Sequence, residues 1–362
     1  MTAREREVLE LIRKNPTISY AEIASALGIS RSTVAVYIAS LTSQGEIMGK
    51  QFVLAENYVV CIGESAMDIY GFTGDATPEG ASRIRVVSGG VARNIGENLA
   101  RLGDSVKLLS VTGDDRFGEM IQRDCADAGI DTAGIFVRRG ANTPAFLQLT
   151  GAGGEPLASV HDGSPEVMVD IEYIKQKEHI IKGARGLVVC GIPVTAIEYL
   201  HDTFPDKRIY ADMTTMSEEP GIQGCLGCFY SVQANKREAE RVTGIRIRND
   251  DTLNRAADIL IRRGVHRVAI TLGVDGAFYK DADGFSIRRR TTPISHVVNS
   301  TGAGDAFAAG YLHCLLQERS PVYAVDFAMA CAVLALMAEG NINPNMSVAL
   351  AEQTMQNYPA EG

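Results

Sequence analysis

The sequence predicts an α/β fold: a mostly parallel sheet flanked by helices, with a small second sheet at its edge and a winged helix-turn-helix in front. Three observations carry this. After Tyr58, short apolar runs alternate with helical patterns. Two stretches, about 69–88 and 135–162, break that rhythm with strand-forming residues and turns. The first 55 residues have their own helical spacing and a different charge balance.

In the N-terminal module, Glu7, Val8, Leu11 and Ile12 begin an amphipathic helix. TISYAEIASALGISRSTVAVYIASLTSQGEI then gives a helix over Tyr20–Leu27 and a turn at Gly28. A second helix follows Ser30, a residue suited to capping. GEIMGKQFVL continues as a short hairpin, the wing of a winged variant. In that arrangement Arg31, Ser32 and Thr33 stand where the second helix enters the DNA major groove. Residues 1–55 hold six Lys/Arg and five Asp/Glu, a net of +1. The whole chain carries −9, so the remainder carries −10. A near-neutral module also fits a three-helix packing unit that touches no DNA. The overall acidity argues against a large nucleic-acid surface.

Residues 56–362 form the second domain. YVVCIG, SVKLLSV, GLVVCG, RIYADM, CFYSVQA and HRVAITLG read as strands set among helical patterns, which implies βαβ units and a parallel sheet. ISHVV reads as a further strand, and the pattern after Gly304 is mostly helical. The 69–88 and 135–162 stretches fit a small antiparallel sheet. No run approaches ~18 apolar residues, the length a membrane span needs. The charged N-terminus lacks the apolar core of a signal peptide. Seven cysteines in no framework spacing suit a reducing cytoplasm. GEIMGKQ is not a phosphate-binding P-loop, because Lys50 lacks a following Ser/Thr. CLGC is a single pair, and the six histidines make no metal-ligand spacing.

In an open parallel sheet, ligands bind beyond the carboxyl ends of the strands. Five motifs fall there. NSTGAGDAFAAG (Asn299–Gly310) places Gly302, Ala303 and Gly304 before an apolar helix, with Asp305 in its first turn. Free amides and the helix dipole there suit an anion, and Asp305 can take a proton from a hydroxyl. An Asp so placed is also a common cap. SGGVARNIGENLARLG (Ser88–Gly103) starts a helix with Gly89 and Gly90, followed by Arg93 and Asn94, whose amide can donate and accept. In GESAMDIYG, Asp68 can accept two hydrogen bonds from a vicinal diol or lie solvated in a loop. In ANKREAE, Asn235 and Glu238 share one face of a starting helix. They suit a magnesium–water shell or phosphate oxygens, and equally a capping box. TLGVDGAFY places Thr271, Gly273 and Gly276 in a tight turn suited to a nucleotide, or in a plain β-turn.

GGVARN and NSTGAGDAFAAG, near opposite ends of the domain with NKRE and TLGVDG in order between them, resemble the two signatures of the ribokinase-like carbohydrate kinases of the pfkB type. The resemblance runs from about Tyr58 to the C-terminus. It implies a ribokinase-like fold and ATP-dependent phosphorylation of a primary hydroxyl on a sugar or nucleoside. By resemblance Asp305 is the base, and Gly302, Ala303 and Gly304 form the anion hole. Asn235 serves ATP and Glu238 magnesium through water, while Thr271, Gly273 and Gly276 hold the nucleotide. Asp68, Gly89, Gly90 and Asn94 bind substrate hydroxyls. The two β-rich stretches resemble the family's lid, which often forms a homodimer contact.

Within the family, GESAMDIYG, GGVARNIGENLARLG, NTPAFLQL and NINPNMS are similar to segments of its pseudouridine-phosphorylating branch. That likeness implies that Thr143, His161 and Asp162 approach the substrate and Asn343 the adenine, with Arg93 or Asn142 donating to a uracil ring. Kinases for another nucleoside or a free sugar, and a nucleoside-responsive transcriptional regulator, are the alternatives. The chain departs from the family at Asn299. An Asp commonly stands there and helps bind a monovalent cation, so K⁺ activation is in question.

Overall fold

A computed structural model of the chain describes residues 1–15, 18–47, 57–72, 83–151, 156–162, 165–292, 294 and 297–361. They form two compact units, Met1–Asn57 and Tyr58–Gly362.

The first unit has three helices: α1 (Ala3–Lys14), α2 (Tyr20–Leu27) and α3 (Arg31–Ser43). Each starts on a hydroxyl cap. Thr2 and Glu5 close a capping box on α1, Ser19 and Glu22 another on α2, and the Ser30 side chain accepts the Thr33 amide on α3. Gly28, at φ +64°, ends α2 in the left-handed region, and the α2–α3 pair bends by 107°. Val8, Ile12, Ile23, Val34, Ile38 and Leu41 meet in a small core that Ile47 completes. The remainder of the expected wing, from residue 48, lies outside the described residues.

The second unit opens on β1 (Tyr58–Gly63). β2 (Ala66–Phe72), β3 (Arg83–Gly89) and α4 (Val91–Arg101) follow, then β4 (Ser105–Leu109), β5 (Val111–Gly113), α5 (Arg116–Asp127) and β6 (Phe136–Arg138). Next come β7 (Ala145–Thr150), β8 (Pro156–Asp162), α6 (Ile171–Gln176), α7 (Glu178–Gly183) and β9 (Ala184–Cys190). α8 (Val194–Thr203), β10 (Ile209–Asp212), β11 (Ser231–Asn235), α9 (Lys236–Thr243) and α10 (Asp250–Arg262) lead to β12 (Arg267–Thr271). β13 (Ala277–Asp281), β14 (Ser286–Arg289), α11 (Ala303–Leu316), α12 (Pro321–Leu336) and α13 (Val348–Asn357) complete it.

The main sheet has the order β14-β13-β12-β11-β10-β9-β1-β4. Strands β4 to β12 pair in parallel, as the alternation predicts, and β13 and β14 add an antiparallel edge. Helices on both faces explain the unbroken apolar strands. Along β1, Val60 and Ile62 face one core, while Val59 and Cys61 face the other. Among the described residues no single helix is long and apolar enough to cross a membrane.

A second sheet, β3-β2-β7-β8, forms from the two β-rich stretches. It is not wholly antiparallel as expected: β2 and β7 run parallel. Met67 at the start of β2 pairs with Ala145 at the start of β7, so both strands enter this lid from the same end. ISHVV is the other departure. Ile294, Val297 and Val298 lie in no strand, and the Val298 amide donates to Leu336 O at the end of α12 (2.8 Å) rather than to a sheet neighbour.

Candidate active site

Register lines up the carboxyl ends of the parallel strands: Gly63 beside Cys190, Cys190 beside Asp212, and Asn235 beside Thr271. The start of α11 belongs to the same neighbourhood. Gly302 is its N-cap at φ +83°, and a Cβ there would sit 1.9 Å from Asn341 O. Only glycine permits both the turn and that approach. The first helical bond runs from the Ala306 amide to Gly302 O (2.9 Å). The amides of Ala303, Gly304 and Asp305 precede it and point out of the helix start, where an anion is favoured.

Asp305 sits in that first turn, partly exposed, and accepts a bond from Asn94 Nδ2 at 2.8 Å. The two residues are 211 positions apart. Burial pushes the Asp305 carboxyl well above the usual carboxylate range, and the neighbouring Asp212 charge pushes it further. A raised carboxylate is the stronger base, the property proton abstraction near neutral pH requires.

The double glycine has two separate reasons. A Cβ on Gly89 would lie 2.2 Å from Asp68 Oδ2, so that residue must be bare for the carboxylate to lie over it. Gly90 takes φ +90° against the Glu64–Ser65 backbone. Asp68 is buried and held by Asn341 Nδ2 (2.8 Å) and Tyr70 Oη (3.1 Å). Burial raises its pKa, and those two hydrogen bonds oppose the rise. Asn341 also donates to Ser88 O (3.2 Å). Sequence reading missed it, although it stands two residues before Asn343 in the same NINPN segment.

Arg93 spends its terminal nitrogens internally, and its buried Nε lacks a hydrogen-bond partner among the described residues. Its guanidinium is buried, paired with Glu97 and bonded to Ser88 O (3.1 Å) and Asn94 Oδ1 (3.1 Å). The geometry makes it a residue that positions Asn94. Thr143 is likewise internal: its hydroxyl donates to Asp115 Oδ1 (2.6 Å) and accepts from the Gly113 amide (3.0 Å). Asn343 is buried, donating to Leu334 O (2.7 Å) and accepting from the Asn345 amide (2.9 Å), so its amide is spent on bracing this loop. Asn142 is exposed, beside the lid's β7. His161 and Asp162 end β8, and His161 Nε2 lies 3.0 Å from Glu64 Oε1.

On the other side, Asn235 and Glu238 do form a capping box. The Asn235 amide donates to Glu238 Oε2 (2.7 Å), and the Glu238 amide to Asn235 Oδ1 (3.0 Å). Burial and then the Asp212 charge push Glu238 up to about 7. Asp212 is the second residue that sequence reading missed. It ends β10, is fully buried, accepts the Thr214 amide (2.9 Å) and is itself raised by burial. A carboxylate closing the apolar strand RIYADM was its signal. Among the described residues no cluster of three or more His, Cys, Asp or Glu could hold a metal ion. Two hard carboxylates still fit magnesium, which keeps its waters and takes further ligands from phosphates. Thr271 ends β12. Gly273 and Gly276 flank the one-turn link to β13 at φ +62° and +89°, and Gly276 lies tight against Arg289 O. Asn299 Oδ1 accepts the Thr301 amide (3.0 Å).

In the N-terminal unit Arg31 and Ser32 are exposed and Thr33 is half-buried. The Ser32 and Thr33 hydroxyls both bond to Ser30 Oγ, at 2.7 and 2.8 Å.

A parallel α/β sheet that gathers carboxylates and a glycine-started helix along its carboxyl edge, beside a β-sheet lid, defines the class: a small-molecule kinase. Residues 56–348 match the pfkB family of carbohydrate kinases, and residues 1–47 match a winged helix-turn-helix DNA-binding family. The chain is 31% identical over 353 residues to a protein of Escherichia coli named uncharacterized sugar kinase YeiI, covering 96% of this chain and 97% of that one. It is 29% identical over 307 residues to the pseudouridine kinase of Escherichia coli, covering 83% and 97%. Its fold matches the ribokinase of Arabidopsis thaliana, solved with ribose and ATP, with a TM-score of 0.71 at 20% identity over 83% of this chain and 99% of that one. The chain belongs to the pfkB family of carbohydrate kinases and is an ATP-dependent kinase of the ribokinase-like fold.

Proposed function

We propose that this kinase phosphorylates the 5′-hydroxyl of pseudouridine, giving pseudouridine 5′-phosphate and ADP. The observation that carries the chemistry is the Asp305–Asn94 pair at the free amides of α11. The likeness to the pseudouridine kinase supports the acceptor. In this reading Asp68 and the backbone of Gly89 and Gly90 hold the ribose hydroxyls. Asp305 takes the 5′-hydroxyl proton as that oxygen bonds to the γ-phosphorus of ATP. The bond from the γ-phosphorus to the β–γ bridging oxygen breaks and ADP leaves. Charge on the γ-oxygens is met by the amides of Ala303, Gly304 and Asp305, which need not reorganise. Asn235 and the Thr271–Gly276 turn border the nucleotide, while Arg93, Thr143 and Asn343 act by positioning. Mg²⁺ on the ATP phosphates, held through water by Glu238 and Asp212, would neutralise phosphate charge. Asn299 keeps a side-chain oxygen but lacks the charge of an Asp, so K⁺ is expected to change activity little.

A panel of pseudouridine, uridine, ribose and fructose with ATP tests the acceptor. A higher kcat/KM for ribose or fructose than for pseudouridine defeats this reading in favour of a sugar kinase.

The same reading includes a homodimer through the lid. Ile84, Val86, Leu149 and Val160 are exposed, and register puts them on the lid face opposite Asp68. Val160→Asp is expected to give a monomer in sedimentation. The match of residues 1–47 favours a second activity, DNA binding through Arg31, Ser32 and Thr33. A gel shift on the DNA upstream of its own gene at low salt, with and without nucleoside, tests it, and no shift removes it.

A further inference from the structure

Beside the Asp68 site lies a cavity of about 210 Å³ that none of the chemistry above uses. Val167, Val169, Ile192 and Met216 supply buried apolar walls. Glu64, His161 and Thr215 supply its polar atoms. Glu64 belongs to the β1–β2 turn that leads into Asp68, and its backbone packs on Gly90. Gly191, at the end of β9, opens the cavity's floor at φ +62°, where a Cβ would lie 2.5 Å from Thr215 Oγ1.

The size limits the occupant. An apolar cavity of ~150 Å³ takes one benzene molecule. A space of about 210 Å³ therefore holds one six-membered ring with its exocyclic oxygens, not a whole nucleoside. Apolar walls with a few polar atoms are what a heterocycle needs. The polar atoms set its chemistry. Glu64 Oε1 is engaged by His161 Nε2 (3.0 Å), while Oε2 has no partner among the described residues. A carboxylate oxygen accepts only, so it calls for a ring N–H. The Thr215 hydroxyl suits a ring carbonyl, while the imidazole spends its Nε2 on Glu64.

We infer that this cavity is the subsite for the base of the acceptor, a single-ring pyrimidinedione whose ring N–H is read by Glu64. The inference rests on the proposal that the acceptor is a nucleoside, and it adds the residues that select the base. It also supplies the reason for choosing a C-linked uracil. Both rings keep N3–H, so Glu64 selects only by reading N1–H, which the C-glycosidic link leaves free in pseudouridine and which in uridine is replaced by the sugar.

The test uses the full chain and measures kcat/KM for pseudouridine, uridine and ribose with ATP. It compares the wild type with Glu64→Ala and Met168→Trp. Met168 lines the same cavity from an exposed position, so the larger ring narrows the opening without entering the core. The ratio of pseudouridine to ribose is expected to fall at least tenfold in both variants. The preference for pseudouridine over uridine is expected to approach unity in Glu64→Ala. Ribose turnover and a thermal melt in the same preparations report that each variant is folded. If the wild type prefers pseudouridine but both variants keep its ratios within twofold, the base lies elsewhere. The inference is then wrong while the acceptor assignment stands. If the wild type turns over ribose better than either nucleoside, the acceptor assignment falls first and this subsite with it.

Discussion

Replacing Gly302 with alanine puts a methyl group 1.9 Å from the carbonyl oxygen of Asn341 and 2.7 Å from its carbon. Real Cβ atoms keep at least 3.0 Å from such neighbours, so the gap must open by more than an ångström. The obstacle is backbone and cannot rotate aside. The new side chain also inherits φ +83°, a left-handed conformation that costs a residue with a Cβ about 1–2 kcal/mol. Both partners of the contact carry site residues. On one side, α11 holds Asp305 against Asn94 at 2.8 Å. On the other, Asn341 holds Asp68 at 2.8 Å. A displacement of ~1 Å in a reacting group costs on the order of 100-fold in rate, which is about 2.7 kcal/mol of barrier. Gly302→Ala is therefore expected to lower kcat about 100-fold and to raise the acceptor KM, with a melting temperature only a few degrees lower. A coupled ADP-release assay with saturating ATP reads the first two, and calorimetry the third. Gly304→Ala is the contrast for stability alone: nothing lies within 4 Å of its Cβ position, and its φ is not positive. If Gly302→Ala keeps kcat within threefold of wild type, the close approach does not position the catalytic carboxylate and the reasoning fails.

Asp305→Asn is expected to lose about 10²–10⁴ in kcat while ATP affinity, measured by calorimetry, stays close to wild type; near-normal turnover would remove the base from the mechanism. Because Asp305 must be ionised and its pKa is raised, kcat should fall on acidification at a higher pH than an ordinary aspartate would dictate. The Asn94 hydrogen bond opposes that rise, so Asn94→Ala should move the acid limb of the pH–rate profile further up; a downward move contradicts the electrostatics. In the first unit, Glu5 accepts from Ser40 Oγ (2.6 Å), and this bond with the Thr2 amide holds it at about 2 against an ordinary 4.5. A depressed carboxylate stabilises above its unfolded value and loses that contribution as pH falls toward its folded value. Glu5→Gln should therefore lower the unfolding temperature of residues 3–43 at pH 7 and much less at pH 3, followed by thermal melts at both values.

How much of the site was legible divides by range. Asp305, Asn94, Gly89, Gly90 and Gly302 were legible as candidates because each is, or stands within about a helical turn of, a glycine that starts a helix, and Asp68 because it follows β1 by five residues. Those are local features with local physics. Asp212 was passed over because it ends an apolar strand with no glycine near it. Its importance comes from sharing burial with Asp305 and Glu238. Arg93, Thr143 and Asn343 bear the right groups at plausible places. Their bonds go instead to Glu97, Asp115 and Leu334. No spacing rule says which of two partners a buried donor will find.

By itself, the sequence determined most of the strands, the capped helices and the glycines that allow positive φ. Apolar period and backbone preference act over a few residues and need no partner. Tertiary structure alone decided that positions 68, 94, 212, 238 and 305 share one neighbourhood, that β2 and β7 run parallel, and that a cavity opens beside Asp68. Those outcomes depend on strand register and on how much water packing removes. Only there do carboxylates far apart in the chain come to raise one another's pKa.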